Sequence, residues 1–357
     1  MDLEFMKEIL MTYRPTGYEV NASSLLLKAA KNINEACQVT TDKMWNSFVC
    51  IGSEKNDAKT ILISGHSDQN CLIVTGITNN GFLRIMQQGG ISPKTIIDSD
   101  VVVLADEGNR KIHGFCSYKA IHIESPDERK KCPEIKDLYI DIGCETKEQA
   151  IELGVRIGDI AVFDNSGLNM DFGHNGKYIV GSGIDDGIAC GIAYDVFSHF
   201  CKNIEILKEN NIRLCCAFIS SEETGARGVH PIVKKIDPDI SIDIDVCHDC
   251  TKEIGTDDGR DIRMGDGVVI CFGPDKYRPL NSALIKIAED NSISYQRMAG
   301  KAGGTNTNMI QQMSSNCETT LLGIPCRYMH SSTHEMVNKD DIECCEKLIC
   351  KFIETVK

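Results

Sequence analysis

Apolar residues recur at three- and four-residue spacing over residues 3–12 and again over 22–35, which predicts two amphipathic helices. They lead into Thr60-Ile61-Leu62-Ile63-Ser64-Gly65, a short apolar run ending in glycine that reads as a buried strand, with His66 directly after it. From about Gln69 to Phe163 the pattern changes. Glycines and short β-prone runs recur, as at 82–86 and 96–104, with a polar turn at 125–131, so this stretch is expected to be an inserted β-rich module. Beyond it the elements alternate: a helix at 186–201, strands at 212–220, 240–246 and 319–324, and a helix at 340–355. Such alternation argues for an α/β sheet with helices on both faces. The last helix is well marked, because Asp340, Asp341 and Glu343 suit its positive start while Ile342, Cys345, Leu348, Ile349 and Phe352 form one apolar stripe. No repeat, coiled coil or low-complexity segment interrupts the pattern.

A length of 357 residues with 42% hydrophobic and 25% charged positions fits one large globular unit or two modest domains. Lys plus Arg total 38 against 52 for Asp plus Glu, and the net charge of -14 repels phosphate backbones and anionic headgroups. Neither nucleic acid nor membrane is therefore an expected partner. No apolar run approaches the roughly 18 residues that span a bilayer, and Met1-Asp2-Leu3-Glu4 carries acids where a signal peptide carries bases. A soluble, cytoplasmic protein is expected. The 18 cysteines sit mostly as single residues in apolar stretches, as do Cys190, Cys201, Cys215, Cys216 and Cys271, and read as small buried hydrophobes rather than a disulfide framework. The tight pair in Cys247-His248-Asp249-Cys250 has no second pair to complete a four-ligand zinc site.

Candidate chemistry gathers at the ends of the predicted strands, where open α/β sheets place their sites. His66-Ser67-Asp68 follows the first strand, Glu222-Glu223 follows 212–220, Asp245 lies near the end of 240–246, and His330 lies beyond 319–324. A further pair, Asp185-Asp186, stands at the mouth of the 186–201 helix. Alone, Asp-Asp before a helix is an N-cap and Glu-Glu a solvated surface pair. Together they form a mixed imidazole and carboxylate set, which suits zinc, cobalt or manganese better than magnesium or calcium. Two histidines and at least three acids suffice for two ions sharing a bridging carboxylate. Asp68, two residues past His66 on the same side of an extended chain, is placed to accept the imidazole's other N–H. Asp243 shares a face with Asp245 and stays an alternative to it, although Asp245 lies nearer the strand's carboxyl end. His113, His122, His174, His199, His230 and His334 lack strand-end placement, and Cys247 and His248 point to opposite faces. Gly181-Ser182-Gly183 lacks the lysine and spacing of a phosphate loop.

The pattern His66-x-Asp68, Asp185-Asp186, Glu222-Glu223-x-Gly225, Asp245 and Arg327-Tyr328-x-His330-Ser331 resembles the M42 family of dinuclear metallo-aminopeptidases, which includes glutamyl and tetrahedral aminopeptidases. The likeness extends to Asp137-Leu138-Tyr139-Ile140-Asp141-Ile142-Gly143, to 154–159 and to Gly303-Gly304-Thr305. The resemblance implies a mixed-sheet α/β catalytic domain, residues 1–69 and 164–357, interrupted by a β-barrel-like domain, 70–163, that mediates dimerisation and assembly. It also implies a homo-oligomer, in many members a closed shell such as a dodecamer, acting on short peptides. Asp185 would bridge two divalent ions (zinc, cobalt or manganese), His66 and Asp245 completing one site and Glu223 and His330 the other. Glu222 would be the general base for a bridging metal-bound water, and Asp68 would hold His66. Four departures accompany the match: Gln69 with Asn70-Cys71 where Glu and Ile-Gly are usual, Gly187 where Arg is common, Ser221 where Gln is common, and Asn306 where Asp is usual. None removes a ligand or the base. They leave open a deacylase or carboxypeptidase on the same scaffold, or a catalytically silent metal-binding assembly protein.

Overall fold

A computed structural model describes residues 2–35, 37–255 and 261–356. Its main sheet is built round four adjacent parallel strands, Ile212–Ile219, Lys59–His66, Ile240–His248 and Glu318–Arg327. Antiparallel strands extend it on both sides: Ser47–Gly52 and Val39–Thr41 beyond the first, and Glu335–Asn338, Tyr178–Gly181 and Asn169–Phe172 beyond the last. Val268–Phe272 also pairs with Glu318–Arg327 and carries Tyr295–Ala299, so the sheet is mixed. The central strands are buried along nearly their whole length because helices cover both faces. Ile61 and Ile63 join one apolar cluster with Leu3–Met11, Ile184–Lys202 and Lys339–Thr355. Leu62, Cys215, Ala217 and Ile219 point the other way, onto Val229–Ile236 and Asn306–Met313.

Register decides what the sheet presents at its carboxyl edge. Ile219 lies opposite His66, Asp243 opposite Ser64, and Asp245 opposite Gly323, so the chain segments that follow the parallel strands leave from one side. Against this edge sits Ile184–Lys202, buried on almost every face. Its small residues let neighbours approach: a Cβ on Gly191 would fall 2.3 Å from the Met6 sulfur. Phe5 stacks on Tyr194 with ring centroids 3.7 Å apart, fixing the first helix across this one.

The β-rich stretch forms a closed six-stranded barrel in the order Cys71–Ile77, Leu83–Gln88, Tyr139–Asp141, Arg110–Ser117, Ser99–Ala105 and Ile160–Phe163. Inward positions alternate along the strands and fill a separate core with Leu72, Val74, Leu83, Ile85, Val101, Val103, Ile140 and Phe163. Ser47–Gly52, Val268–Phe272 and the helix Arg278–Asp290 are elements that the apolar pattern alone did not single out. The cysteine reading needs one correction. Cys50 and Cys215 lie directly opposite one another on antiparallel strands and form a disulfide, while the other sixteen cysteines are free. A separation of 165 residues hides that pairing from the sequence. Among the described residues no helix is long and apolar enough to cross a membrane.

Asp195, on the buried helix, accepts the Asp2 backbone N–H through both carboxylate oxygens at 3.0 Å, and burial pushes its carboxyl up to about 7. In the unfolded chain the same group ionises near ~3.9. Folding therefore favours its protonated form, a contribution complete below the unfolded value and lost as pH rises through the folded one. Asp195→Asn is expected to gain urea stability relative to the parent steadily between pH 4 and 7. A difference that stays constant across that window counts against this assignment.

Candidate active site

His66 ends its strand and donates its backbone N–H to Asp186 Oδ2 at 3.1 Å. Its Nδ1 lies 3.1 Å from the Asp68 carbonyl oxygen and 3.4 Å from Asp68 Oδ1, while Nε2 faces Asp185 Oδ1 at 2.9 Å. Burial works against protonation of this ring, yet the hydrogen bonds to Asp185 and Asp68 raise its pKa well above the usual value. Asp185 turns its second oxygen, Oδ2, to His330 Nε2 at 3.1 Å. Burial opposes its ionisation, but the bonds from His330 and His66 hold it well below the usual carboxylate range. One carboxylate thus faces one imidazole with each oxygen. The carboxylates of Asp185 and Asp186 turn to His66, His330 and the His66 N–H rather than to the N–H groups of their own helix, so neither acts as the simple N-cap that their position suggests.

His330 reaches the cluster from a turn with left-handed backbone at Tyr328 (φ 58) and His330 itself (φ 61). Its backbone N–H donates to Glu335 Oε1 at 2.8 Å, and the other oxygen of Glu335 accepts the Asp185 N–H at 3.1 Å. Its Nδ1 bonds the Gly90 carbonyl at 2.8 Å, a contact from the barrel, and Nε2 lies 3.5 Å from Glu223 Oε1. Glycine is required at 90, since a Cβ there would stand 2.8 Å from the ring. The bond to Asp185 pushes the His330 pKa up to about 9.

Glu222 and Glu223 follow Ser221, another left-handed residue (φ 56), whose N–H donates to buried Glu19 at 3.0 Å. Their own N–H groups donate to Asp68 Oδ1 at 2.8 Å and Oδ2 at 3.2 Å. The Asp68 carboxylate thus faces His66 Nδ1, as the sequence suggests, and also clamps the glutamate turn, while its backbone carbonyl lies nearer still to Nδ1. Burial, with Asp68 and Glu223 close by, pushes Glu222 up to about 8, while burial beside Asp185 pushes Glu223 to about 7. Burial next to Asp186 raises Asp245 well above the carboxylate range. Asp243 is occupied elsewhere, accepting from Ser64 Oγ at 2.7 Å and from the Thr307 N–H and hydroxyl at 3.0 Å.

His66, Asp185, Glu222, Glu223, Asp245 and His330 all line one cleft of about 600 Å³, which Phe272, Met298 and Met309 also line. Ligand atoms of His66, Asp185 and Glu223 lie within 4.8 Å of one another, as do those of His66, Asp186 and Asp245. Among the other histidines, His113, His122, His174, His230 and His334 are exposed and His199 half-buried. Glu335, Glu19 and Gly90 escaped the sequence reading. Glu335 lies in the short strand after His330, but nothing in its spacing reveals that it braces both His330 and Asp185.

The donor set fits divalent cations. Asp68, Asp185, Asp186, Asp245 and Glu335 are buried and Glu222 and Glu223 are largely so, while the basic side chains that line the cleft are His66, His248, His330, Lys301 and Lys276, the last engaged by Asp275. Buried Glu223 Oε1 and Asp186 Oδ1 have no hydrogen-bond partner among the described residues. Packing this many carboxyls together is costly unless a positive charge joins them.

A mixed sheet whose four central parallel strands carry such a cluster at their carboxyl edge fits a metal-dependent hydrolase, and known proteins narrow this to a peptidase. The family model for M42 glutamyl aminopeptidase matches residues 46–348. The lysyl aminopeptidase of Pyrococcus furiosus is 26% identical over 362 residues, covering 100% of this chain and 98% of that protein. The crystal structure of a TET aminopeptidase from a marine sediment archaeon, Thaumarchaeota archaeon SCGC AB-539-E09, superposes with a TM-score of 0.89 at 26% identity, covering 99% of this chain and 97% of that one. Another neighbour, the TET1 peptidase of Pyrococcus horikoshii, which can assemble into a tetrahedron or a large octahedral shell, gives 0.81 at 26% identity, covering 98% of both chains. The chain belongs to the M42 family of metallopeptidases and is an aminopeptidase.

Because a bound cation relieves the carboxylate crowding only in the folded state, excess zinc, cobalt or manganese is expected to raise the melting temperature and exhaustive chelation to lower it. The shift should shrink as pH falls below 7, since ligands must lose their protons to bind. Identical melting curves with and without chelator, at several pH values, would remove the metal site.

Proposed function

We propose that the protein is a metal-dependent aminopeptidase that removes N-terminal residues from short peptides, with Glu222 as general base. The observation that carries this reading is Asp185, whose two oxygens face His66 and His330 separately. In it, two divalent transition ions (zinc, cobalt or manganese) would be held with Asp185 as their shared ligand, His66 and Asp245 serving one and Glu223 and His330 the other. Such ions polarise a peptide carbonyl and make water a nucleophile near neutral pH. Glu222 then takes the proton of the attacking water and returns it to the leaving amine. Its raised pKa, about 8 without cations, suits a group that must both accept and donate. Asp68 fixes the direction of both glutamates through their N–H groups. An acidic cleft also favours the ammonium of a free N-terminus.

In the same reading residues 1–69 and 164–357 form the catalytic unit and 70–163 the assembly domain. The barrel's exposed Phe82, Met86 and Phe115 support it, as does the shell-forming behaviour of the TET1 neighbour. Sixteen free cysteines against a single disulfide, Cys50–Cys215, favour a reducing, cytoplasmic setting.

Three measurements test this. A free-amine peptide series should be cleaved and its N-acetylated counterparts not; cleavage of the acetylated series points instead to a deacylase or carboxypeptidase, and cleavage of neither to a silent metalloprotein. Glu223→Gln should lose metal, whereas Glu222→Gln should keep it and lose roughly 100- to 10,000-fold in turnover; near-normal turnover in the latter removes the mechanism. Light scattering should give a mass well above the 39.4 kDa of one chain, and a monomer at micromolar concentration refutes the assembly.

A further inference from the structure

Outside the cleft, behind the carboxylates, lies Arg14, completely buried. Its Nη1 donates to the Ser67 carbonyl at 3.0 Å and its Nη2 to the Gly183 carbonyl, while Nε has no partner among the described residues. Ser67 adjoins His66, and Gly183 stands two residues before Asp185. The charged or titratable groups that face the guanidinium are Asp186, Asp68, Glu335 and the Cys190 thiol. Among the described residues the other buried cation is Lys276, and that ammonium is engaged by Asp275 at 2.8 Å. The guanidinium has its place because residue 187 lacks a side chain: a Cβ there would fall 2.5 Å from Nη2 and 3.2 Å from Cζ. The Arg14 backbone is pinned as well, its N–H to Gln69 Oε1 at 3.2 Å and its carbonyl to the Gln69 N–H at 2.9 Å.

We infer that Arg14 is a positioning residue for the metal-ligand cluster, a fixed positive charge that ties the His66 strand end to the Asp185 turn, and that Gly187 is small in order to admit it. The guanidinium acts in two ways. By spanning two carbonyls it sets the separation of His66 from Asp185, the two groups whose nitrogen and oxygen must converge on one cation. By its charge it faces Asp186, Asp68 and Glu335, whose oxygens accept the backbone N–H groups of His66, of the glutamate turn, and of Asp185 and His330. Lysine does not replace this arrangement, because a point charge lacks the planar fork that reaches both carbonyls.

The inference rests on the proposed metal site, and cobalt binding by the unaltered protein is the control that keeps the two apart: if the parent binds no cobalt, the metal reading fails first. Given parent binding, Arg14→Met is expected to weaken cobalt affinity by the roughly 10- to 100-fold typical of lost supporting contacts, measured by competition with a chelator, and to alter the visible cobalt spectrum. Gly187→Ala, which expels the guanidinium from its seat, should show the same loss, and adding it to Arg14→Met should cost little more. Arg14→Lys should recover only part of the affinity. If Arg14→Met does not fold, Gly187→Ala and Arg14→Lys carry the test alone. Parental cobalt affinity and spectrum in the folded variants, or fully additive losses in the double variant, overturn the assignment.

Discussion

Everything near the cleft follows from a crowd of carboxylates held where water cannot dilute their charge. Seven of them, Asp68, Asp185, Asp186, Glu222, Glu223, Asp245 and Glu335, gather with two imidazoles and one buried guanidinium at the carboxyl edge of four parallel strands. Part of the set is held by backbone partners, while Glu223 Oε1 and Asp186 Oδ1 have none among the described residues. Asp68 accepts the glutamate N–H groups, Glu335 accepts those of Asp185 and His330, and Asp186 accepts that of His66. The acids are therefore divided between those that fix the backbone and those whose oxygens face the cleft. That division is what turns a repulsive cluster into a directed one.

The sheet makes the division possible. Parallel strands in register release their following loops at one edge, and the buried helix Ile184–Lys202 is pressed close enough to that edge to bring Asp185 between two histidines from distant parts of the chain. The helix reaches that position because its neighbours meet glycine and alanine rather than bulk, as at Gly191 against Met6. Packing and chemistry are thus the same problem here.

Much of the site was legible because strand-end placement is a sequence property: an apolar run stops and a histidine or acid follows. His66, Glu222, Glu223, Asp245 and His330 carry that signature, and the structure brings them to one cleft. Alternation puts Asp243 and Asp245 on one face, and the sequence favours Asp245 only by its place nearer the strand's carboxyl end; in the structure the hydroxyls of Ser64 and Thr307 engage Asp243. Glu335, Glu19 and Arg14 act through backbone groups, and which N–H or carbonyl a side chain meets depends on tertiary distance rather than spacing. The Cys50–Cys215 bridge was hidden for the same reason. Left-handed turns at Ser221, Tyr328 and His330 occur at residues with no glycine-like signal, so nothing local announces them.

The contact between Gly90 and His330 changes what kind of insertion the barrel is. A module that only enlarged the surface could be exchanged between relatives as a cassette, its ends joined to any host with suitable loops. Here its Gly90 carbonyl orients a cleft-lining imidazole, and its Ser99 hydroxyl meets Ser332 two residues further along the same turn at 2.8 Å. The two units therefore share a joint that must travel with either of them. Because the seam between the parts runs through a histidine, a barrel exchanged without its matching turn would disturb the cleft even where both parts fold.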